Sequence, residues 1–172
     1  SSSVLARFEG TGAVSHETSE EIGMVGPAAR ASGVELDVRH DHPTGVFRFF
    51  AIPVATESTG DVYARAIVRW VEIQRSLTFL QDVLKGAWEG ELRRPMGALR
   101  PSALAMGVSE SWRGEAMHVA ITDPTGRIER VKAKDPSMHN WFGLAQAVRG
   151  VAISDFPICN KSFNLSYAGH HL

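Results

Sequence analysis

Cys159 is the sequence's single cysteine, which excludes an internal disulfide and limits any thiolate metal site to one ligand from this chain. No apolar run approaches the roughly 20 residues that a membrane-spanning helix requires. The first residues lack the basic segment and apolar core of a secretion signal. An excess of one charge is lacking as well. With 18 basic and 19 acidic residues the formal charge is −1, so no net field draws the chain to nucleic acid or anionic lipid. Neither a Walker-type loop nor a Gly-x-Gly-x-x-Gly after a strand occurs, and direct nucleotide binding has no support. These absences lead to the expectation of a soluble, intracellular chain that binds no nucleic acid, does not insert into a membrane, and reaches one only through partners.

What the sequence does contain suits one domain spanning 1–172. A chain of 172 residues, 44% of them hydrophobic, has the size to bury a sizeable core. No internal repeat or low-complexity linker divides it, and Ser1-Ser2-Ser3 has no pattern and is set aside as a frayed end or cloning remnant. Thr18-Ser19-Glu20-Glu21 has capping-box spacing and predicts a short helix over 19–25. Pro27 suits the first turn of a second one, with Gly33 at its left-handed end. From 35 to 56 the chain reads as an ordered loop with room for one short strand.

The clearest signal lies over 61–85, where Tyr63, Ala66, Trp70, Ile73, Leu77, Leu80 and Leu84 recur at steps of three and four. That stripe predicts a long amphipathic helix buried along it, with Arg65, Arg69, Glu72, Arg75 and Asp82 turned away, Asp61 capping the start and Gly86 ending it. A weaker set, Val62, Ile67, Val71 and Phe79, widens the apolar face. Strand patterns follow at 103–109, 116–122 and 127–133, the last two joined by the type I turn signal Asp123-Pro124-Thr125-Gly126. Asp135-Pro136 opens a helix that stops at Gly150, and Asp155-Phe156-Pro157 opens another to about residue 162. The fold class is α+β: a mainly helical core with one long helix and a small antiparallel β-meander.

Several tempting constellations read as ordinary structure. His40-Asp41-His42, on an extended segment, would point two imidazoles to one face, but two ligands do not make a metal site and a polar loop is the better reading. Trp70, Trp88, Trp112 and Trp141 lack interleaved basic clusters and suit core or interface positions.

Three stretches together resemble one superfamily. Gly23-Met24-Val25-Gly26-Pro27-Ala28-Ala29-Arg30-Ala31-Ser32-Gly33 with Asp37-Val38-Arg39 is similar to the segment before the long core helix of membrane-bound, energy-converting hydrogenases. Glu110-Ser111-Trp112-Arg113-Gly114-Glu115 is similar to that family's Glu-Ala-Pro-Arg-Gly-Glu strand. The end, from Asp155 through Asn164-Leu165-Ser166-Tyr167-Ala168-Gly169, resembles its final helix and metal-binding tail. The chain thus resembles the C-terminal portion of the large subunits of NiFe-hydrogenases and of the quinone-side subunit of respiratory complex I, closest to the formate-hydrogenlyase type. Members are much longer, so an excised, inactive domain of an oxidoreductase subunit is implied.

In active members the tail reads Asp-Pro-Cys-x-x-Cys, and its thiolates help hold nickel and iron. Here the resemblance puts Asn164 at the Asp, Ser166 at the first Cys and Gly169 at the second. Hydroxyl is a hard donor and glycine has none, where soft sulfur is required. No cofactor is expected in this chain, and no metal site; an iron–sulfur cluster in a small partner subunit, and a quinone, are what the resemblance implies instead. Arg113 resembles the arginine that overlooks the metal centre, with Glu110 or Glu115 as its charge partner or proton relay, and Asn164, Ser166 and Gly169 lining the emptied cavity; an ion pair on a sheet edge is the equal alternative for Arg113. Cys159 reads as a small buried thiol rather than a substitute ligand, and His170-His171 as exposed imidazoles. The implied setting is a peripheral arm on the cytoplasmic face of the cell membrane, held by iron–sulfur and membrane subunits. Alternatives are a non-catalytic assembly scaffold and a working NiFe-hydrogenase.

Overall fold

The computed structural model of the chain describes residues 2–86, 90–91, 93 and 95–171, the side chains of His170 and His171 excepted. The readings of Trp88 and of the His170-His171 side chains lie outside the described residues.

Four short helices come first: α1 (Ser2–Phe8), α2 (His16–Glu21), α3 (Gly26–Arg30) and α4 (Val38–Asp41). The long helix α5 (Val62–Lys85) follows, then β1 (Leu104–Ser111), β2 (Gly114–Thr122) and β3 (Ile128–Lys134), and finally α6 (Ser137–Ala147) and α7 (Phe156–Phe163). The expected α+β class, long helix and meander are all present.

Local chemistry explains most boundaries. Asp61 caps α5 by accepting the Ala64 N–H at 2.8 Å, and Gly86 ends it. Asp135 accepts the Ser137 N–H at 2.7 Å at the start of α6, and Asn164 closes α7 in the left-handed region with φ 53°. Gly126 donates to the Asp123 carbonyl at 3.0 Å, closing the turn between β2 and β3.

Two local expectations fail. The capping box at Thr18 is not used: Ser15 caps α2 by accepting the Thr18 N–H at 3.1 Å, and the helix ends where it was predicted to be under way. Ser15 and Thr18 already supply the cap three residues upstream, and Gly23, at φ 65°, breaks the chain before Val25. The segment holding His40 and Asp41 is not extended but one turn of α4, begun by Asp37 accepting the Arg39 N–H at 2.9 Å.

The sheet is antiparallel in the order β1-β2-β3. Ser111 pairs with Gly114, so Trp112 and Arg113 form a two-residue hairpin tip, with Gly114 at φ 131°. The apolar core lies among the helices: Met24 and Ala28 pack with Val62, Leu144, Cys159, Phe163 and Leu165. A second, smaller cluster joins Ala31 and Ala55 to Ala64 and Val68.

The long helix is inverted relative to its pattern. Its buried residues are Val62, Ala64, Arg65 and Val68, whereas the expected core stripe faces out: Trp70 is 61% exposed, Leu77 51%, Leu80 50% and Leu84 75%. Periodicity identifies an apolar face but not what covers it. Arg65, expected outside, is fully buried. No helix among the described residues is long and apolar enough to cross a membrane.

Candidate functional site

The three stretches that carry the resemblance meet at the hairpin tip. Gly26, at φ 67°, opens α3 directly against the backbone of Arg113 and Gly114, and a Cβ on Gly26 would overlap that backbone. From α6, the buried Asn140 carboxamide accepts the Val25 N–H at 3.0 Å and donates to the Val25 carbonyl at 3.0 Å and the Arg113 carbonyl at 3.2 Å. Arg113 Nε then donates to the Asn164 carbonyl at the end of α7. One chain of polar contacts therefore ties α3, α6, the hairpin and the tail.

The rest of the tail turns onto the start of α6. The Ser166 N–H donates to Ser137 Oγ at 2.9 Å, and the Gly169 N–H donates to Ser166 Oγ at 3.0 Å. Gly169 lies so close to Asp135 that a Cβ there would overlap its side chain. Cys159 is fully buried in the core, where burial pushes its thiol above the ordinary range.

The expected pairing of Arg113 with a neighbouring glutamate is not formed. Glu115 faces Lys134 at 3.6 Å. Glu110 points toward the fully buried Arg30. Strand position does not separate the two glutamates, which sit directly opposite each other on β1 and β2; their partners do, Arg30 taking Glu110 and Lys134 taking Glu115.

Arg30 is the hub of a buried charge cluster. Its guanidinium donates to Glu72 at 2.7 Å, to Glu110 at 3.0 Å and to the Leu36 carbonyl at 2.6 Å, with Asp37 at 3.8 Å. Arg39 joins through Asp37 at 2.5 Å. Burial pushes the Glu110 carboxyl above the ordinary range, and Arg30 only partly offsets that. For Asp37 burial also acts upward, but the Arg39 hydrogen bond and the Arg30 and Arg39 charges outweigh it and the carboxyl lies low.

A cavity of about 390 Å³ opens between α5 and α7, beside the tip. Trp70, Ile73, Trp112 and Ile158 supply its apolar wall, and Arg69, Lys161 and Asn164 its polar edge. Among the five residues expected to form the site, Asn164 lines this cavity and Arg113 bonds to its carbonyl. Ser166 and Gly169 lie against α6, and Glu110 in the Arg30 cluster.

Sequence reasoning missed Arg30, Arg65, Arg69 and Asn140. Arg30 stands inside the first of the three stretches, so its place was visible while its role was not. Arg65 and Arg69 are one helical turn apart between Val62, Ala64 and Val68, a polar pair set in a small apolar face; that spacing was the available signal. Nothing in the pattern around Asn140 marks it.

Comparison with known proteins accords with this arrangement. The family model described as the respiratory-chain NADH dehydrogenase 49 Kd subunit matches residues 1–103. The carbon monoxide-induced hydrogenase of Rhodospirillum rubrum is 32% identical over 94% of this chain and 45% of its own length. A subunit of the NADH-quinone oxidoreductase of Solibacter usitatus is 30% identical over 88% and 41%. Formate hydrogenlyase subunit 5 of Escherichia coli K12 is 29% identical over 94% and 28%. A chain of an archaeal membrane-bound sulfane sulfur reductase superposes with a TM-score of 0.88 at 24% identity, covering 98% of this chain and 48% of that one, a likeness of fold. This chain spans less than half the length of each of these relatives. With the family model matching more than half of its residues, the chain belongs to the family of the respiratory-chain NADH dehydrogenase 49-kDa subunit, the kin of hydrogenase large subunits.

Proposed function

We propose that this chain is part of a large subunit in a membrane-associated electron-transfer complex, one that works without a nickel–iron centre. The observation that carries the reading is the Arg113 to Asn164 contact, which joins the hairpin arginine to the tail beside an apolar cavity. A small acceptor such as a quinone would enter that cavity, with Arg113 placed at its edge through the Asn164 carbonyl to polarise it; Glu110, in the Arg30 cluster, would act only as a carboxyl beyond the cavity wall. Electrons would arrive from an iron–sulfur cluster in a small partner subunit, and membrane subunits would hold the assembly on the cytoplasmic face.

Donor chemistry supports a site without the bimetallic cofactor. Ser166 offers a hydroxyl already engaged by the Gly169 N–H, and Gly169 offers nothing and has no room for a side chain. Soft thiolates are what nickel and low-valent iron require, so the residues present do not fit the group. Metal analysis of the full-length subunit tests this; stoichiometric nickel would restore the reading as a working NiFe-hydrogenase.

Substituting Arg113→Ala in the intact complex tests the acceptor role. Turnover should fall with assembly retained, and unchanged turnover would remove Arg113 from the mechanism. The exposed stripe on α5 favours a second reading, an assembly scaffold without catalysis. In that case substitutions at the cavity would be silent while substitutions on the helix face would block assembly.

A further inference from the structure

The sheet turns one apolar face outward, with a row of cations along one side of it. The register sets Leu104, Met106 and Val108 of β1 beside Ile121, Val119 and Met117 of β2, and these in turn beside Arg130, Lys132 and Lys134 of β3. Directly paired residues share a face, so the nine side chains stand together. α3 and α4 meet the sheet at its hairpin end, where Gly26 abuts Gly114 and the Val38 N–H donates to Glu110 at 3.3 Å. At the far end the face is open: Leu104 is 69% and Met106 62% exposed, with Val119 and Ile121 half-buried beside them.

The three cations differ in what they already hold. Lys134 faces Glu115 at 3.6 Å. Arg130 and Lys132 are exposed and form no ion pair among the described residues. Glu129, the one acid of β3, falls at the register shift, outside the paired rows. Lysine and arginine on an edge strand guard it against pairing with another chain. That role accounts for the cations but not for the apolar platform they border, which runs about 14 Å from Leu104 to Val108.

β1 and β3 lie about 10 Å apart, close to the width of a helix with its side chains, so a helix seated over β1 and β2 brings its flank to β3. Carboxylates four residues apart on such a helix stand about 6 Å apart, near the ~7 Å that separates Arg130 from Lys132 two strand positions on. An anionic membrane fits less well, because the cations border one side of the platform alone. A second copy would bring a cationic row of its own and no acidic one. We infer that the sheet docks an acidic amphipathic helix of a partner protein, its apolar stripe on Leu104, Met106 and Val119 and two carboxylates, one turn apart, on Arg130 and Lys132.

The test is a titration of the 172-residue chain with a fluorophore-labelled helical peptide of about 14 residues, followed by anisotropy. The peptide carries leucines at steps of three and four and, beside them, two Glu one turn apart; a second peptide has Gln at both positions. At low salt the Glu peptide should bind about fivefold more tightly, as two exposed ion pairs allow. Both peptides should lose binding in Met106→Glu and keep it in Leu80→Glu, which lies on α5 away from the sheet. The double variant Arg130→Glu, Lys132→Glu should reverse the preference, taking a peptide with Lys at both positions over the Glu peptide. All four positions are on the surface, so the variants keep the fold, as circular dichroism verifies. No binding, equal affinity for the Glu and Gln peptides, equal loss in Leu80→Glu, or no reversal overturns the inference. Phosphatidylserine vesicles that bind the chain but not the double variant would give the face to lipid. A dimer in sedimentation that Met106→Glu abolishes would give it to a second copy, and a full-length subunit that no longer takes the peptide would show its own chain there. Each of these three results overturns the inference too. No outcome depends on turnover, so the electron-transfer reading stands or falls separately.

Discussion

Asn140 Nδ2 donates to the Arg113 carbonyl at 3.2 Å, so that one carboxamide on α6 holds the hairpin tip while its other contacts hold Val25. Both partners are main-chain groups in a buried setting, where an unmade hydrogen bond costs its full desolvation. Asn140→Ala should therefore lower stability by on the order of 3 kcal/mol. Urea melts of variant and parent check this, and a difference below about 1 kcal/mol would show that water replaces the amide.

Gly26 has a tighter constraint, since both its positive φ and its contact with Gly114 exclude a Cβ. Gly26→Ala should cost about 3 kcal/mol or more, through strain and through separation of α3 from the hairpin. Thermal melting reads the loss, and Gly23→Ala makes a useful comparison: it has a positive φ but open space, so it should cost only about 1 kcal/mol.

Removing Arg30 would strand Glu72 and Glu110, while Asp37 keeps Arg39. Arg30→Met should destabilise by about 3–5 kcal/mol at neutral pH, as breaking a buried pair does. Acid should relieve part of this, because the stranded carboxylates then take up protons. A deficit that does not shrink below neutral pH would mean that water has entered the cluster.

Glu110 makes the cluster respond to pH in a definite direction. Its folded carboxyl lies above the ordinary 4.5, so its contribution is complete below that value and is lost as pH rises through the folded value. Glu110→Gln should flatten the fall in stability above pH 4.5 while leaving the acid limb, where Asp37 loses its advantage as pH drops, in place. Urea midpoints across pH 4–8 measure both limbs; an unchanged upper limb would move the proton to another group.

Much of the architecture was legible because it is encoded locally. Asp61 and Gly86 bracket α5, Asp123 to Gly126 form the turn they spell, and Pro27 and Pro157 open α3 and α7. Burial was less legible. The leucine stripe of α5 obeys helical periodicity whether core, a second chain or solvent lies against it, so spacing alone misplaced Trp70 and Leu84. Arg65 misled in the opposite sense, since a guanidinium is normally exposed; it is buried only because the Gly12 and Gly60 carbonyls and the Phe163 ring, 4.2 Å from its central carbon, receive it. At the site, Arg113 and Asn164 were placed together by resemblance, but the rotation of Glu110 toward Arg30 depends on which face of β1 turns inward, and that is a tertiary fact.

The crowding of Gly169 against Asp135 limits what the tail can carry. Asp135 Oδ1 secures the first free N–H of α6, so it cannot swing aside without unsettling that helix. Any side chain installed at 169, a thiol included, therefore needs a smaller residue at 135 in the same variant.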